Sequence, residues 1–289
     1  MTESDWQPLE PVDVKLLASP IAQVHRGAQF ISMIGKHFVV NESDDSHTNM
    51  EWLAAHQVLA GRWVTDGNAP LRLAIRPRTL DLVFFDENFN AIDEFSLNGN
   101  SKDSALAWAR DALSNAGLKG ENLMMDLHYD IPHHETDDGM AFQLADQPLF
   151  DSIVIIRSNA DLILREAIRG RKTASEVRIW PHHFDTGSYI PVGFDESGAA
   201  TRSFSIGYAI PDGAIDEPYF YVTAWSAGVE MDYANLPDLS EGEWLHTPFH
   251  GAILRMSSIL AVTDRSDQGR LVSTFLEEAI DASLELLAM

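Results

Sequence analysis

The sequence predicts an α+β protein, internally duplicated, with antiparallel sheets and helices packed on the outside of them. Apolar residues recur at three- and four-residue spacing in long segments and at two-residue spacing in the stretches between. A pair of landmark motifs also occurs twice, in the same order. Each half reads as a helix, strands and a hairpin with a closing helix, which predicts a sandwich of two antiparallel sheets with helices outside.

The elements follow in order. Residues 1–18, acidic and dotted with proline, read as an arm that Trp6 and Leu9 pin to the body. Ser19 caps a helix with Pro20 at its first position, and Ile21, Val24, Ala28, Ile31 and Ile34 form its apolar row. Asn41 to Thr48 is a polar break. Leu71, Leu73 and Ile75 then alternate with Arg72, Ala74 and Arg76, and the run continues through Leu80–Phe85, a turn at Asp86–Asn90 and Ile92–Leu97 as adjacent strands. Ser101 caps a helix over about 102–116 with Gly117 where it stops. Met124–Tyr129 reads as a strand and Pro132–Gly139 as a charged loop. A long helix runs from Pro148 to Gly170 through Ile153, Ile156, Ala160 and Ile163. Strands are expected at 176–180, 184–193, 202–210, 218–225 and 252–256, and a closing helix carries Val272, Phe275, Leu276, Ala279 and Ile280 inward.

The repeat sets Ile75-Arg76-Pro77-Arg78-Thr79-Leu80-Asp81 beside Ile179-Trp180-Pro181-His182-His183-Phe184-Asp185. Phe85-Asp86-Glu87 before Phe95 likewise matches Phe194-Asp195-Glu196 before Phe204. These acidic triplets are turn chemistry. The chain is therefore expected to comprise the arm, a first α+β half at 19–140 and a second at 141–289.

Composition excludes several functions. With 44 acidic against 20 basic side chains and a formal charge of −24, the surface repels nucleic-acid phosphates and anionic lipid. The absence of cysteine removes disulfides, thiolate metal sites and thiol nucleophiles. Met1 to Trp6 lacks the pattern of a signal peptide, and no stretch approaches the roughly 18 apolar residues of a membrane span, so a cytoplasmic protein with no membrane partner is expected. A homo-oligomer stays open.

Histidine is the chemistry that remains. Pro132-His133-His134 and Pro181-His182-His183 are each followed by a carboxylate, Asp137 and Asp185. Imidazole with carboxylate suits zinc, nickel, manganese or iron, so His134, His182, His183 and Asp185 are candidate ligands of a metal-dependent, hydrolase-like enzyme, with His47, His128 and His246 in reserve. The alternatives are a non-catalytic protein binding a small molecule in an aromatic pocket of Trp180, Tyr219, Tyr221, Trp225 and Trp244, or an oligomerising scaffold. Solvated turn histidines and core aromatics explain the same residues without any site.

Val24-His25 with Gln29 and Gly35-Lys36, Pro70 to Arg76, His128-Tyr129-Asp130-Ile131-Pro132, Trp180 to Asp185, and Pro218-Tyr219-Phe220-Tyr221-Val222 with Trp225 together resemble an uncharacterised bacterial domain-of-unknown-function family. The resemblance spans about residues 20–260. It implies a stand-alone bacterial protein, adds weight to His134, His182, His183 and Asp185 as site positions, and implies no reaction.

Overall fold

The computed structural model describes residues 5–288. The fold class holds: 35% of the chain is helix and 23% strand, in two antiparallel sheets of five and six strands with helices against them. Contacts divide the chain into two compact units. One comprises residues 19–154 and 179–184; the other contains the arm up to Ala18, residues 155–178 and the chain from Asp185 onward. The division thus falls inside a helix rather than at the expected 140/141 boundary, and it assigns the short segment 179–184 to the first unit.

The first unit holds the sheet β1-β2-β3-β4-β5, formed by Glu51–Leu53, Val58–Ala60, Leu71–Arg76, Asp81–Asp86 and Ala91–Ser96. Leu73 pairs with Phe84 and Ile75 with Leu82, so these side chains share one face. Helix α1 (Ala18–Phe38) lies on that face. Gly27 permits the close approach, because a Cβ there would meet the Cδ1 atoms of Ile75 and Leu97 at 2.5 and 2.7 Å. Helix α2 (Lys102–Asn115) adds Trp108, whose ring lies 5.4 Å from that of Phe84. Its start is as the sequence predicts, with Ser101 Oγ accepting from the Ser104 amide, and Gly117 supplies the positive φ of +84° after its end. On the opposite face Val58, Ala60, Ala74, Val83 and Phe85 form a second cluster. The three-residue strands β1 and β2 escape a reading by periodicity because each is too short to show one.

Met124–Tyr129 is no strand. Its side chains and one carbonyl bond to α1 and to the 41–48 loop, as described below, so it has no ladder to join.

In the second unit the sheet order is β10-β11-β9-β8-β7-β6, with β6 at Arg178–Ile179, β7 at Thr186–Phe194, β8 at Ala200–Ala209, β9 at Tyr219–Ser226, β10 at Glu243–Leu245 and β11 at Gly251–Arg255. The strand expected over 176–180 shrinks to those two residues of β6. Phe204, Ile206, Phe220, Val222 and Leu254 are buried beneath the closing helix α5 (Gln268–Ala288); the short α4 (Met256–Leu260) precedes it. Most of helix α3 (Gln147–Ala167) also belongs here, and it brings Arg157 to 5.2 Å from the Tyr208 ring. Trp6 and Leu9 are buried as expected, and Leu9 is fixed by a hydrogen bond from its amide to Gln268 Oε1 at 2.8 Å.

The duplicated landmarks are the same structures. At the first corner Leu80 takes a left-handed φ of +57° and its amide bonds to the Arg76 carbonyl at 2.9 Å; at the second, Phe184 has φ +55° and bonds to Trp180 at 2.7 Å. The acidic turns match equally. Asp86 Oδ1 accepts from the amides of Asn88 and Asn90, with Phe89 left-handed at +59°. Asp195 Oδ1 accepts from the amides of Ser197 and Ala199, with Gly198 at +86°. Hydrogen bonds from the Asn90 and Ser197 side chains, before all else, hold the two carboxyls below the usual aspartate range. Both triplets are turn chemistry.

Gly207 stands opposite Tyr221 in the β8–β9 register, and a Cβ on it would lie 2.4 Å from Tyr221 Cζ. A Cβ on Gly187, which pairs with Gly207, would lie 3.0 Å from the Tyr221 hydroxyl. The two glycines therefore clear a bed for the ring, whose hydroxyl donates to Asp185 Oδ2 at 2.6 Å. Gly207→Ala should cost about 1–3 kcal/mol in urea denaturation by overpacking this bed. Gly213→Ala, whose added Cβ meets open space, should stay within about 0.5 kcal/mol of the parent.

Candidate functional site

Helix α1 is buried along most of its length, yet it carries His25, Gln29, Ser32 and Lys36 at a spacing that stacks them into one polar row. Buried polar atoms need partners, and this row has them. His25 Nε2 and Gln29 Nε2 both donate to the Pro181 carbonyl, at 2.7 and 3.0 Å. A carbonyl can only accept, so Nε2 of His25 carries the proton. Gln29 Oε1 accepts from the Tyr129 hydroxyl at 2.8 Å, and Ser32 Oγ meets that same hydroxyl at 2.8 Å. Burial, first, pushes the Tyr129 phenol above its ordinary range, so it stays protonated and donating.

This network fixes the second corner against α1. The His25 ring also stacks on Phe184, with centroids 4.7 Å apart and planes 13° from parallel. The corner in turn presents His182 and His183 with ring centroids 4.4 Å apart; the His182 ring is 5.7 Å from Tyr129 and 6.3 Å from Trp180. The first corner is held more lightly: Gln147 on α3 donates to the Arg78 carbonyl at 2.8 Å and Asp151 pairs with Arg78 at 3.0 Å, all exposed. Each half thus lends a helix to the other half's corner. That exchange is why 179–184 belongs to the first unit.

Toward the end of α1 the segment after Leu123 is strapped down. Asp126 pairs with Lys36 at 2.9 Å and with His37 at 2.7 Å, and His128 pairs with Asp45 at 2.8 Å. Burial raises the Asp126 carboxyl, but the hydrogen bonds from Lys36 and His37 outweigh it and hold the group down at about 2.

Beyond the strap lies a cleft of about 950 Å³. Its walls come from the end of α1 (His37 to Val40), the turn at Glu42 to His47, the Arg62–Asp66 loop and the chain after α2, including Lys119 and Asn122. Trp63 supplies its largest aromatic surface, and that ring is held in place: the Arg72 guanidinium lies 5.0 Å from its centroid and Phe89 meets it edge-on at 5.9 Å. Arg72 is fixed by the Gly61 carbonyl at 2.6 Å and Glu51 at 2.8 Å.

Two of the four expected ligands, His134 and Asp185, are engaged elsewhere. His134 caps a short turn, its Nδ1 accepting from the Thr136 amide at 3.2 Å; burial, and then the charge of Arg26, hold its pKa down. Asp137 pairs with Arg26 at 3.2 Å and Lys102 at 2.8 Å. Asp185 accepts from Tyr221, and its charge faces buried Arg157, whose Nη1 donates to Thr186 Oγ1 at 2.6 Å. Among the described residues no three His, Asp or Glu side chains are grouped to hold a metal ion. Imidazoles and carboxylates next to each other in sequence have found protein donors and cations instead.

The expected aromatic pocket is likewise dispersed. Tyr219 and Tyr221 pack around Phe249, with Tyr219 donating to Asp212 at 2.7 Å. Trp225 stands half exposed on β9, Trp244 stacks on Tyr233 at 5.4 Å, and Trp180 sits in the segment assigned to the first unit. Trp63, Arg62 and Lys119 were not singled out in the sequence, because loops far apart along the chain bring them together. Comparison with protein-family models, curated proteins and solved structures found no match for the chain.

Gln29→Leu should leave the Pro181 carbonyl and the Tyr129 hydroxyl short of partners, costing about 1–3 kcal/mol and raising hydrogen exchange at 179–184 above that of β3. An unchanged exchange pattern would show that the corner holds itself. For Asp126 the folded pKa is depressed, so its contribution is complete above about pH 4 and fades as the pH falls through about 2. NMR titration of its carboxyl carbon should give a midpoint near 2, moving up toward 4 in Lys36→Met with His37→Asn.

Proposed function

We propose that the protein binds a small polar organic molecule without transforming it, in the cleft at the end of α1. The observation that carries this reading is Trp63: a half-buried indole in contact with Arg72 and Phe89 that lines a cavity at the upper end of the size that holds drug-like ligands. Preorganised aromatic surface with polar groups around it is what binding needs, since a ring that is already fixed loses little freedom when a ligand stacks on it. The buried polar groups of the α1 row, His25, Gln29, Ser32 and Tyr129, are engaged in positioning the chain. Membership of the uncharacterised bacterial family remains part of this proposal, carried by the motif residues along α1.

The rival is the metal-dependent, hydrolase-like enzyme with His134, His182, His183 and Asp185 as ligands. The commitments of His134 and Asp185 weigh against it, as does the lack of any group of three ligands. Untagged protein should contain no stoichiometric zinc, nickel, manganese or iron, and adding these ions should leave the melting temperature unchanged. In a thermal-shift screen of small polar compounds, hits should disappear in Trp63→Ala and persist in Trp225→Ala and His183→Ala. Hits that survive Trp63→Ala would place the site elsewhere.

A further inference from the structure

The polar side chains around the cleft fall into two groups. His37 is tied to Asp126, His47 Nδ1 accepts from the Glu42 amide at 3.1 Å, and Arg62 Nε donates to the Ser46 carbonyl at 3.0 Å. The side chains of Glu42, Asp66, Lys119 and Asn122 also line the cleft and make no hydrogen bond or ion pair with the described residues. The second group holds carboxylates and an ammonium together. On a chain with 44 acidic and 20 basic residues, a simple cation would be attracted almost anywhere and a simple anion repelled almost everywhere. A recess lined by Lys119 and Arg62 as well as Glu42 and Asp66 discriminates in favour of a molecule bearing both charges.

Helix polarity gives the orientation. The lining residues His37 and Phe38 are the last of α1, so the carbonyl end of that helix, with its partial negative charge, borders the cleft four residues before Glu42 in the chain. Lys119 and Asn122, which follow α2 in the chain, line the same cleft. We propose that the ligand is a zwitterion of the short-peptide class: its ammonium lies toward Glu42 and the end of α1, its carboxylate toward Lys119 and Asn122, and an apolar side chain lies on Trp63. A cavity of about 950 Å³ exceeds what one amino acid would fill, which favours a di- or tripeptide. The inference rests on the cleft reading above.

Isothermal titration calorimetry on the full chain at pH 7 and low salt tests it, with free alanyl-phenylalanine, its N-acetylated form, its C-amidated form and neutral maltose as probes. The free dipeptide should bind, and each blocked form should bind at least tenfold more weakly. Glu42→Gln should weaken the free dipeptide but not the N-acetylated one, and Lys119→Met should weaken the free dipeptide but not the C-amidated one; circular dichroism confirms that both variants fold. Blocked forms binding as tightly as the free dipeptide, with Trp63→Ala abolishing all of it, would overturn the zwitterion and leave the cleft as a binding site. Maltose binding through Trp63 without the dipeptide would do the same. No binding by any probe would remove both readings.

Discussion

The amide of Gln29 is the constraint on which the arrangement of the first unit depends. One side chain on a buried helix donates to the Pro181 carbonyl and accepts from the Tyr129 hydroxyl. It thereby joins two segments, 100 and 152 residues further along the chain, to the same turn of α1. Inside a protein an unpaired amide, hydroxyl or carbonyl costs about as much as several good packing contacts return. The network is therefore close to all-or-none: His25, Gln29, Ser32 and Tyr129 satisfy one another, and the corner and the strap must lie where they do for that to hold.

Fixing those two segments shapes what the surface offers. The strap, anchored by Tyr129 at one end and by Asp126 on Lys36 and His37 further along, borders the region where α1 ends and the cleft begins. The corner presents His182 and His183 beside Tyr129. A polar row on one helix thus connects a rigid histidine-bearing turn with a recess walled by Trp63. In the other unit Asp185 plays a comparable part, taking the Tyr221 hydroxyl across a bed of two glycines under the field of buried Arg157. Carboxylates that look like ligands in the sequence serve here to satisfy buried donors.

Much of the architecture was legible because local chemistry and tertiary structure agree. Ser101 caps α2, Gly117 and Gly170 supply positive φ after helices, and Asp86 and Asp195 make the same turn in both halves. The repeated Pro-x-x-apolar-Asp corner is visible as a motif and returns as the same left-handed turn at Leu80 and Phe184. The apolar and aromatic residues of Met124–Tyr129 mimic a strand, whereas its polar groups bond to a helix and a loop.

The sequence by itself determined the class of fold, the duplication and the turns, since periodicity, capping and left-handed positions act over a few residues. It also set the formal charge of −24. Only the tertiary structure decided which polar groups meet. His134, Asp137 and Asp185 resemble ligands until Thr136, Arg26 and Tyr221 are seen to hold them, and Trp63 is an ordinary loop residue until Arg72 and Phe89 fix its ring beside a cleft. Hydrogen bonds and ring contacts between distant segments leave no periodic trace in the sequence, because each depends on where the folded chain places its partner.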